Sequence, residues 1–415
     1  MQRIIVVGGG AAGLMAAYSA AKNGGTATVL EKMPDIGRKI LITGKGRCNI
    51  TNSADIKTII KNIPGNGAFL YSALSAFDNN DVVSFMNEYG VKTKVERGNR
   101  VFPVSDKARD VVAAFAKALA RVGATVITGT TVKKIRVAEN KVVGVVTEKG
   151  HEYNADAIIV ATGGASYPGT GSSGDGYRIA KELGHTVTSL KPSLVPLEVA
   201  EEWVQDLQGL SLRNITASVI FEGKKVAEEF GEMLFTHYGL SGPIILSLSK
   251  KVAELLNNHN KEVMVSINLK PALSLEILDQ RIQRDFEKFS RKQFKNALSD
   301  LLPAKLIETF IDLSFIDPEK PVNQITKKER QRMIELLTDL RLTITKTRPI
   351  SEAIVTAGGV NIKEINPKTM ESKLINGLYF AGEVIDIDGF TGGYNLQAAF
   401  ATGYVAGYQS VLSRQ

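Results

Sequence analysis

The first 31 residues leave this chain little freedom of fold. Arg3–Val7 (RIIVV) reads as a buried strand, Ala11 to Lys22 as an alanine-rich helix and Thr26–Leu30 (TATVL) as a second strand. Between the first two lies Gly8-Gly9-Gly10-Ala11-Ala12-Gly13, a G-x-G-x-x-G turn, and Glu31 ends the second strand. A β-α-β unit of this kind aims a helix N-terminus, with its unpaired N–H groups and partial positive charge, at an anion. Gly8 permits the tight turn, Gly10 lets the backbone approach a pyrophosphate, and Gly13 lets helix and strand pack closely. Ala11 and Ala12 bring the first helical N–H groups, and Glu31 stands where a carboxylate bonds ribose hydroxyls and repels a 2′-phosphate. The segment predicts a bound adenine dinucleotide.

A nicotinamide dehydrogenase would usually continue with further βα units. This chain instead runs to Gly37-Arg38-Lys39 and Thr43-Gly44-Lys45-Gly46-Arg47-Cys48-Asn49. Gly44 and Gly46 can bring backbone N–H groups against a pyrophosphate or an isoalloxazine edge. Arg38, Lys39, Lys45 and Arg47 set cations beside them; a solvated basic loop is the alternative reading. FAD is therefore favoured over NAD.

Farther on, a helix capped by Ser105 is expected to run through about Arg121. A meander follows, with turns at Glu139-Asn140 and Lys149-Gly150, before a last buried strand that ends at Thr162-Gly163-Gly164. After Lys191-Pro192 come short alternating strands, then charged amphipathic helices from Ser274 to about Leu342. The expected layout is a discontinuous α/β domain, 1–191 with 353–415, carrying an insert at 192–352. Within the insert, 192–270 and about 341–352 are β-rich and 271–340 is helical.

Cys48 is the only cysteine, so an intrachain disulfide, a CxxC redox pair and a zinc cluster are excluded. Apolar runs are strand-length, far below the ~20 residues of a bilayer span, and a strand at Arg3 leaves no room for a secretory leader. A cytoplasmic location is expected. The net charge of +8 is compatible with nucleic acid or anionic substrates, but acids interspersed among the bases favour a solvated basic surface.

GGGAAG, GKGRCNITN, ATGGASYPGTGSSGDGY, TAGGV and GLYFAGEVIDIDGFTGGYNLQAAFATG together resemble the bacterial BaiN/RdsA-type NAD(P)/FAD-dependent oxidoreductases, distant relatives of the fumarate reductase flavoproteins. These motifs span residues 8 to 403. The resemblance implies a Rossmann-like FAD domain of glutathione-reductase type with a β-barrel-like insert and a helical extension. It also implies non-covalent FAD, with Ala161-Thr162-Gly163 beside it and Gly382-Glu383 at its ribityl-pyrophosphate region. Many related domains have Asp where Glu383 stands. Lys32, next to Glu31, and Val132, in the first strand of the meander, complete the expected contacts on the dinucleotide side.

Gly393-Tyr394-Asn395-Leu396-Gln397 opens the last helix. If that helix points its N-terminus at the flavin pyrimidine edge, its dipole favours negative charge there; an ordinary packing helix is the alternative. No histidine precedes His151, which argues against a histidyl-linked flavin near the first glycine loop. His237, in FTHYGLSGP, is the candidate proton donor, with a structural role equally open; His151 and His259 sit in polar contexts read as exposed. Tyr167, Thr170, Ser172, Ser173 and Asp175 lie in a loop expected to shape the substrate side or touch the flavin, with loop architecture alone as the other explanation of its glycines. Cys48 is either reactive or, more commonly for a lone thiol, packing. Arg97 and Arg100 are a possible anion clamp or plain hairpin residues.

The expected activity is NAD(P)H-driven reduction of an activated C=C bond in a small organic substrate, with NAD(P)H visiting the flavin transiently because only one dinucleotide fingerprint is present. An FAD-dependent amine oxidase and a tRNA-modifying flavoprotein are the alternatives.

Overall fold

The computed structural model describes residues 1–258 and 261–412; His259 lies outside the described residues. The chain divides into two compact units, Met1–Ser193 with Ile350–Gln415, and Leu194–Pro349.

The first unit is built on a five-stranded parallel sheet in the order Leu378–Phe380, Ala157–Val160, Arg3–Val7, Thr26–Leu30, Thr125–Ile127. AIIV at 157–160 is buried at every position, as a parallel strand covered on both faces requires. The first strand is central: its successor in sequence lies on one side and Ala157–Val160 on the other. Such a switch point opens a crevice at the strands' carboxyl ends, where the Gly8–Gly13 turn stands.

The first helix, Ala11–Lys22, packs along the last, Tyr394–Leu412. Small residues make that approach possible, because a Cβ on Gly403 or Gly407 would collide with the carbonyl oxygen of Ala12 or Ala16. The Ser19 hydroxyl donates to the Tyr404 carbonyl across the seam (2.8 Å).

A two-stranded antiparallel ribbon, Lys191–Ser193 with Val355–Ala357, and two three-stranded antiparallel sheets accompany this core. The meander Val132–Ala138, Lys141–Thr147, Glu152–Asn154 turns at Glu139 and Asn140, both left-handed (φ 49° and 58°), as a tight hairpin requires. The other sheet pairs Thr51–Asn52 with the hairpin Thr93–Glu96 and Arg100–Pro103. The helix expected from Ser105 begins later, at Ala108, and no side chain caps it. Asp106 is left-handed (φ 55°) and its carboxylate is drawn to Arg47 and Lys94, so the chain is still turning there.

The second unit is a closed six-stranded antiparallel barrel in the order Leu197–Val199, Gly239–Ser241, Lys224–Thr236, Ser211–Phe221, Val263–Asn268, Leu340–Thr347, sealed where Leu197 pairs with Thr347. Val219, Phe235, Val265, Ile267 and Leu342 are buried in its core. Helices Leu275–Lys288, Ala304–Ser314 and Lys327–Thr338 lie between its last two strands in sequence. The third starts with a capping box, Thr326 with Glu329. The acids and bases of this unit cancel, so the formal +8 rests on the first unit. No described helix is long and apolar enough to cross a membrane.

Candidate functional site

The three glycines of the first turn owe their places to different causes. Gly8 has φ +108° and a Cβ there would lie 2.5 Å from the Ala161 carbonyl oxygen, while a Cβ on Gly13 would collide with the Gly8 carbonyl. Both are dictated by the protein itself. Gly10 is not: its φ of −85° suits any residue, and no protein atom lies within 4 Å of a Cβ built on it. No side chain caps the helix that follows, so the first-turn N–H groups of Ala11, Ala12 and Gly13 face this open space. A pyrophosphate approaching closely explains both the missing side chain and the missing cap, and the cradle fits FAD.

Glu31 is buried beside this turn. One carboxylate oxygen accepts from Gly9 N (2.6 Å) and the other from Met33 N (2.7 Å). Each retains lone-pair capacity for a ribose hydroxyl. The segment entering the meander runs alongside, with Thr130 N donating to Glu31 O and Gly129 N to Met33 O, which sets Val132 just beyond. The Tyr167–Asp175 loop folds over the same end. A Cβ on Gly171 would lie 2.9 Å from Met33 Cγ, and Lys32 Nζ bonds Ser173 and Asp175 (2.7 Å to the latter). Burial pushes the Asp175 carboxyl up, but the Lys32 ammonium and the Ser173 hydroxyl outweigh it and hold the group below its ordinary range. This loop therefore packs with Glu31, Lys32 and Met33.

In GKGRCN, Gly44, Lys45, Gly46 and Cys48 all have left-handed backbone (φ 57°, 58°, 81° and 58°). Each non-glycine among them costs roughly 1 kcal/mol or more. Cys48 is buried and burial pushes its thiol up to about 12, so it stays protonated and serves packing. Arg47 is committed to Glu96 and Asp106 and lies 4.2 Å over the Phe102 ring. Arg38 faces Asp35 (3.6 Å).

Lys39 and Glu383, 344 residues apart, form an ion pair of 2.7 Å. Lys39 Nζ also donates to Ser166 Oγ (2.6 Å), while the other Glu383 oxygen accepts from Thr356 N (2.8 Å) and Ser166 Oγ (3.1 Å). The longer side chain at 383 thus reaches across to knit the chain together. Its carboxylate is engaged by protein at both oxygens, as that of Glu31 is, and a ribityl contact would be made beside these bonds. Gly382 stays against the nucleotide turn, since a Cβ there would lie 2.7 Å from Ala12 Cβ.

The structure joins GKGRCNITN to GGYNLQ. With its amide oriented by its neighbours, Asn49 accepts from Gly393 N (2.9 Å) and donates to Thr51 O (3.1 Å) and Val101 O (3.2 Å). A Cβ on Gly393 would strike the Thr51 carbonyl. Asn52 Nδ2 donates to Gly392 O (2.9 Å), Thr51 Oγ1 donates to Gln397 Oε1 (2.6 Å), and Gln397 Nε2 donates to Phe77 O. Asn395 exchanges bonds with the Gly389 backbone (2.8 Å each way). Tyr394 is buried, Leu396 is half-buried, and Thr162 Oγ1 is buried without a partner. The side chains of Asn395 and Gln397 hold the turn, leaving backbone N–H groups of the helix start for a ligand.

Sequence reasoning passed over Thr51, Asn52, Ser166 and Thr356. All four stood inside the motifs already singled out, but their partners are distant in sequence. His237 is exposed in the second unit, in the turn between strands Lys224–Thr236 and Gly239–Ser241, its ring 4.8 Å from that of Tyr238. His151 is exposed in the meander. His185 is buried: Nδ1 bonds Glu364 (3.1 Å) and Nε2 bonds Ser372 Oγ (2.9 Å).

Comparison with known proteins agrees with this geometry. The family model described as "HI0933-like protein Rossmann domain" matches residues 2–409. The chain is 34% identical to the 3-dehydro-bile acid delta(4,6)-reductase of Clostridium scindens, over 98% of each chain. It is 33% identical to the ribosomal RNA dihydrouridine synthase of Haemophilus influenzae, over 99% of this chain and 98% of the other. Among solved structures, the 3-ketosteroid delta1-dehydrogenase of Sterolibacterium denitrificans superposes with a TM-score of 0.54 at 13% identity, over the whole of both chains, a likeness of fold. From this family match and the nucleotide cradle, the chain belongs to the HI0933-like Rossmann family and is an FAD-dependent oxidoreductase.

Proposed function

We propose that this protein reduces a C=C bond conjugated to a carbonyl, with NADH or NADPH as donor and FAD held non-covalently. One observation carries the reading: end-to-end similarity to two kinds of relative whose names describe related reactions. A 3-dehydro-bile acid with Δ4,6 unsaturation has its double bonds conjugated to a ketone. The uracil C5=C6 bond is conjugated to the C4 carbonyl. In both, a hydride delivered to the β-carbon moves charge onto a carbonyl oxygen and leaves the α-carbon to be protonated.

When bound, FAD supplies the two-electron chemistry between nicotinamide and alkene. The chain's own part is placement. The Gly10 cradle and Glu31 take the adenine dinucleotide end. The Asn49–Gly393 and Thr51–Gln397 bonds fix the start of the last helix, whose dipole favours negative charge before it. His237, an exposed imidazole, is the proposed proton donor.

Anaerobic titration of the purified protein tests this reading. NADH or NADPH should bleach the flavin absorbance, and a steroid enone should restore it. Bleaching by amines alone would indicate an oxidase, and failure to take up FAD would overturn the reading altogether.

A second reading, uridine in ribosomal RNA as the substrate, draws on the dihydrouridine synthase relatives and on the basic charge of the first unit. Mass spectrometry of rRNA incubated with protein and donor would show a gain of two hydrogens at one uridine. Affinity that persists at physiological salt separates it from non-specific attraction.

A further inference from the structure

A nicotinamide donor carries its own pyrophosphate, and the β-α-β fingerprint of this chain is the Gly8–Gly13 turn; a second G-x-G-x-x-G run, Gly169–Gly174, does not directly follow a strand and is folded over Glu31 and Lys32. A second dinucleotide therefore needs cations from elsewhere. Of the basic residues around GKGRCN, most are already neutralised. Arg38 faces Asp35, Lys39 is paired with Glu383, and Arg47 and Lys94 share Glu96 and Asp106. Lys45 and Arg100 are different. Lys45 is exposed and makes no ion pair or side-chain hydrogen bond, and it stands at a left-handed backbone position that favours glycine. Arg100 donates to the Arg97 carbonyl (2.9 Å) and lies 5.9 Å from the Phe102 ring, with no carboxylate partner.

Both sit on segments that converge on one place. Gly44, next to Lys45, packs against Asn49 N, and the Asn49 side chain accepts from Gly393 N. Arg100 is paired in register with Asn52, whose amide donates both to Gly98 O at the hairpin tip (3.0 Å) and to Gly392 O (2.9 Å). The segments that carry these two cations thus meet the start of the last helix, where the reactive end of FAD is proposed to lie. We propose that Lys45 and Arg100 form a subsite for the phosphates of the nicotinamide dinucleotide during its visit to the flavin. Two flexible cations without a glycine cradle give electrostatic, salt-sensitive, rapidly reversible capture, as suits a donor that must leave before substrate enters.

The proposal rests on the reading that NAD(P)H reduces this FAD, and the experiment separates the two. Flavin bleaching is followed by anaerobic stopped flow against NADPH and NADH concentration for the holoprotein, Lys45→Gln, Arg100→Gln and the double variant. Calorimetric binding of NADP+, which cannot reduce the flavin, serves as a readout independent of turnover. The expected result is a rise of about ten-fold or more in the donor concentration for half-maximal bleaching in the double variant. NADP+ affinity should fall in parallel, while the limiting rate and FAD content stay unchanged. Lys45 is exposed, so K45Q keeps the test available if Arg100→Gln disturbs the hairpin.

Donor and NADP+ affinities equal to those of the parent would overturn the subsite while leaving NAD(P)H as donor. A KM increase confined to an anionic substrate would also overturn it, assigning the two cations to that substrate. A parent holoprotein bleached by dithionite but by neither nicotinamide would remove both the reading and the proposal.

Discussion

Gly10→Ala separates a glycine kept for a ligand from one kept for the fold. At position 10 the added methyl meets no protein atom within 4 Å and the backbone is already in an ordinary region. Loss of unfolded-chain freedom favours the folded variant by about 0.4–1 kcal/mol, while alanine is the poorer N-cap by up to several tenths. Apoprotein stability should therefore change by less than about 1 kcal/mol in denaturant titration. FAD affinity should not escape. Backbone hydrogen bonds to a charged group contribute roughly 1.5–3 kcal/mol each, so displacing the pyrophosphate from even one of them raises Kd about ten- to a hundred-fold. Gly13→Ala is the contrasting variant: its methyl would collide with the Gly8 carbonyl oxygen, and it should destabilise apoprotein and holoprotein alike. The assay is equilibrium FAD binding by flavin fluorescence, with urea unfolding of each apoprotein. A Gly10→Ala protein that binds FAD as tightly as the parent would refute the reasoning, as would one whose apoprotein is as unstable as Gly13→Ala.

Lys39→Met leaves the Glu383 carboxylate partly buried without its cation, and since both groups retain some exposure the expected loss is about 1–2 kcal/mol by urea unfolding; the added cost should shrink in an E383Q background. Native Cys48 should resist iodoacetamide at pH 8 and react only after unfolding, as mass spectrometry would show. Burial lowers the His185 pKa more than Glu364 raises it, so the unfolded chain takes up protons first on acidification. The His185 contribution to stability is then complete above the unfolded value of about 6.5 and is lost as pH falls below it. His185→Gln should flatten that part of a stability–pH profile. His237→Gln should slow flavin reoxidation by an enone without altering bleaching by the donor.

Local signals in the chain were legible where spacing alone decides geometry. RIIVV, GGGAAG and TATVL imply the parallel sheet and the nucleotide turn because strand, glycine and helix follow one another within a few residues. Glu139-Asn140 implied a hairpin for the same reason. Relations between motifs were less accessible. Nothing in the residues near Lys39 announces Glu383, and a reader of GEVID has no cue that its carboxylate is shared by Ser166 and Thr356. The Tyr167–Asp175 loop is rich in glycine and hydroxyls, so its composition fits many positions; only the Lys32–Asp175 pair fixes it over Glu31. The late start of the helix at Ala108 has the same origin, a carboxylate at 106 recruited by cations far back in the chain.

The glycine seam between the first and last helices sets a schedule for how this protein is made. The nucleotide turn leaves the ribosome long before the helix packed along it, with Ser19 and Tyr404 lying 385 residues apart. At about 5–20 residues per second, the N-terminal unit waits some 20–80 s for its closing element. During that interval Ala12, Ala16 and their apolar neighbours have no permanent cover. FAD capture should accordingly follow synthesis of the last helix, and a chain cut short before Tyr394 should fail to retain the flavin.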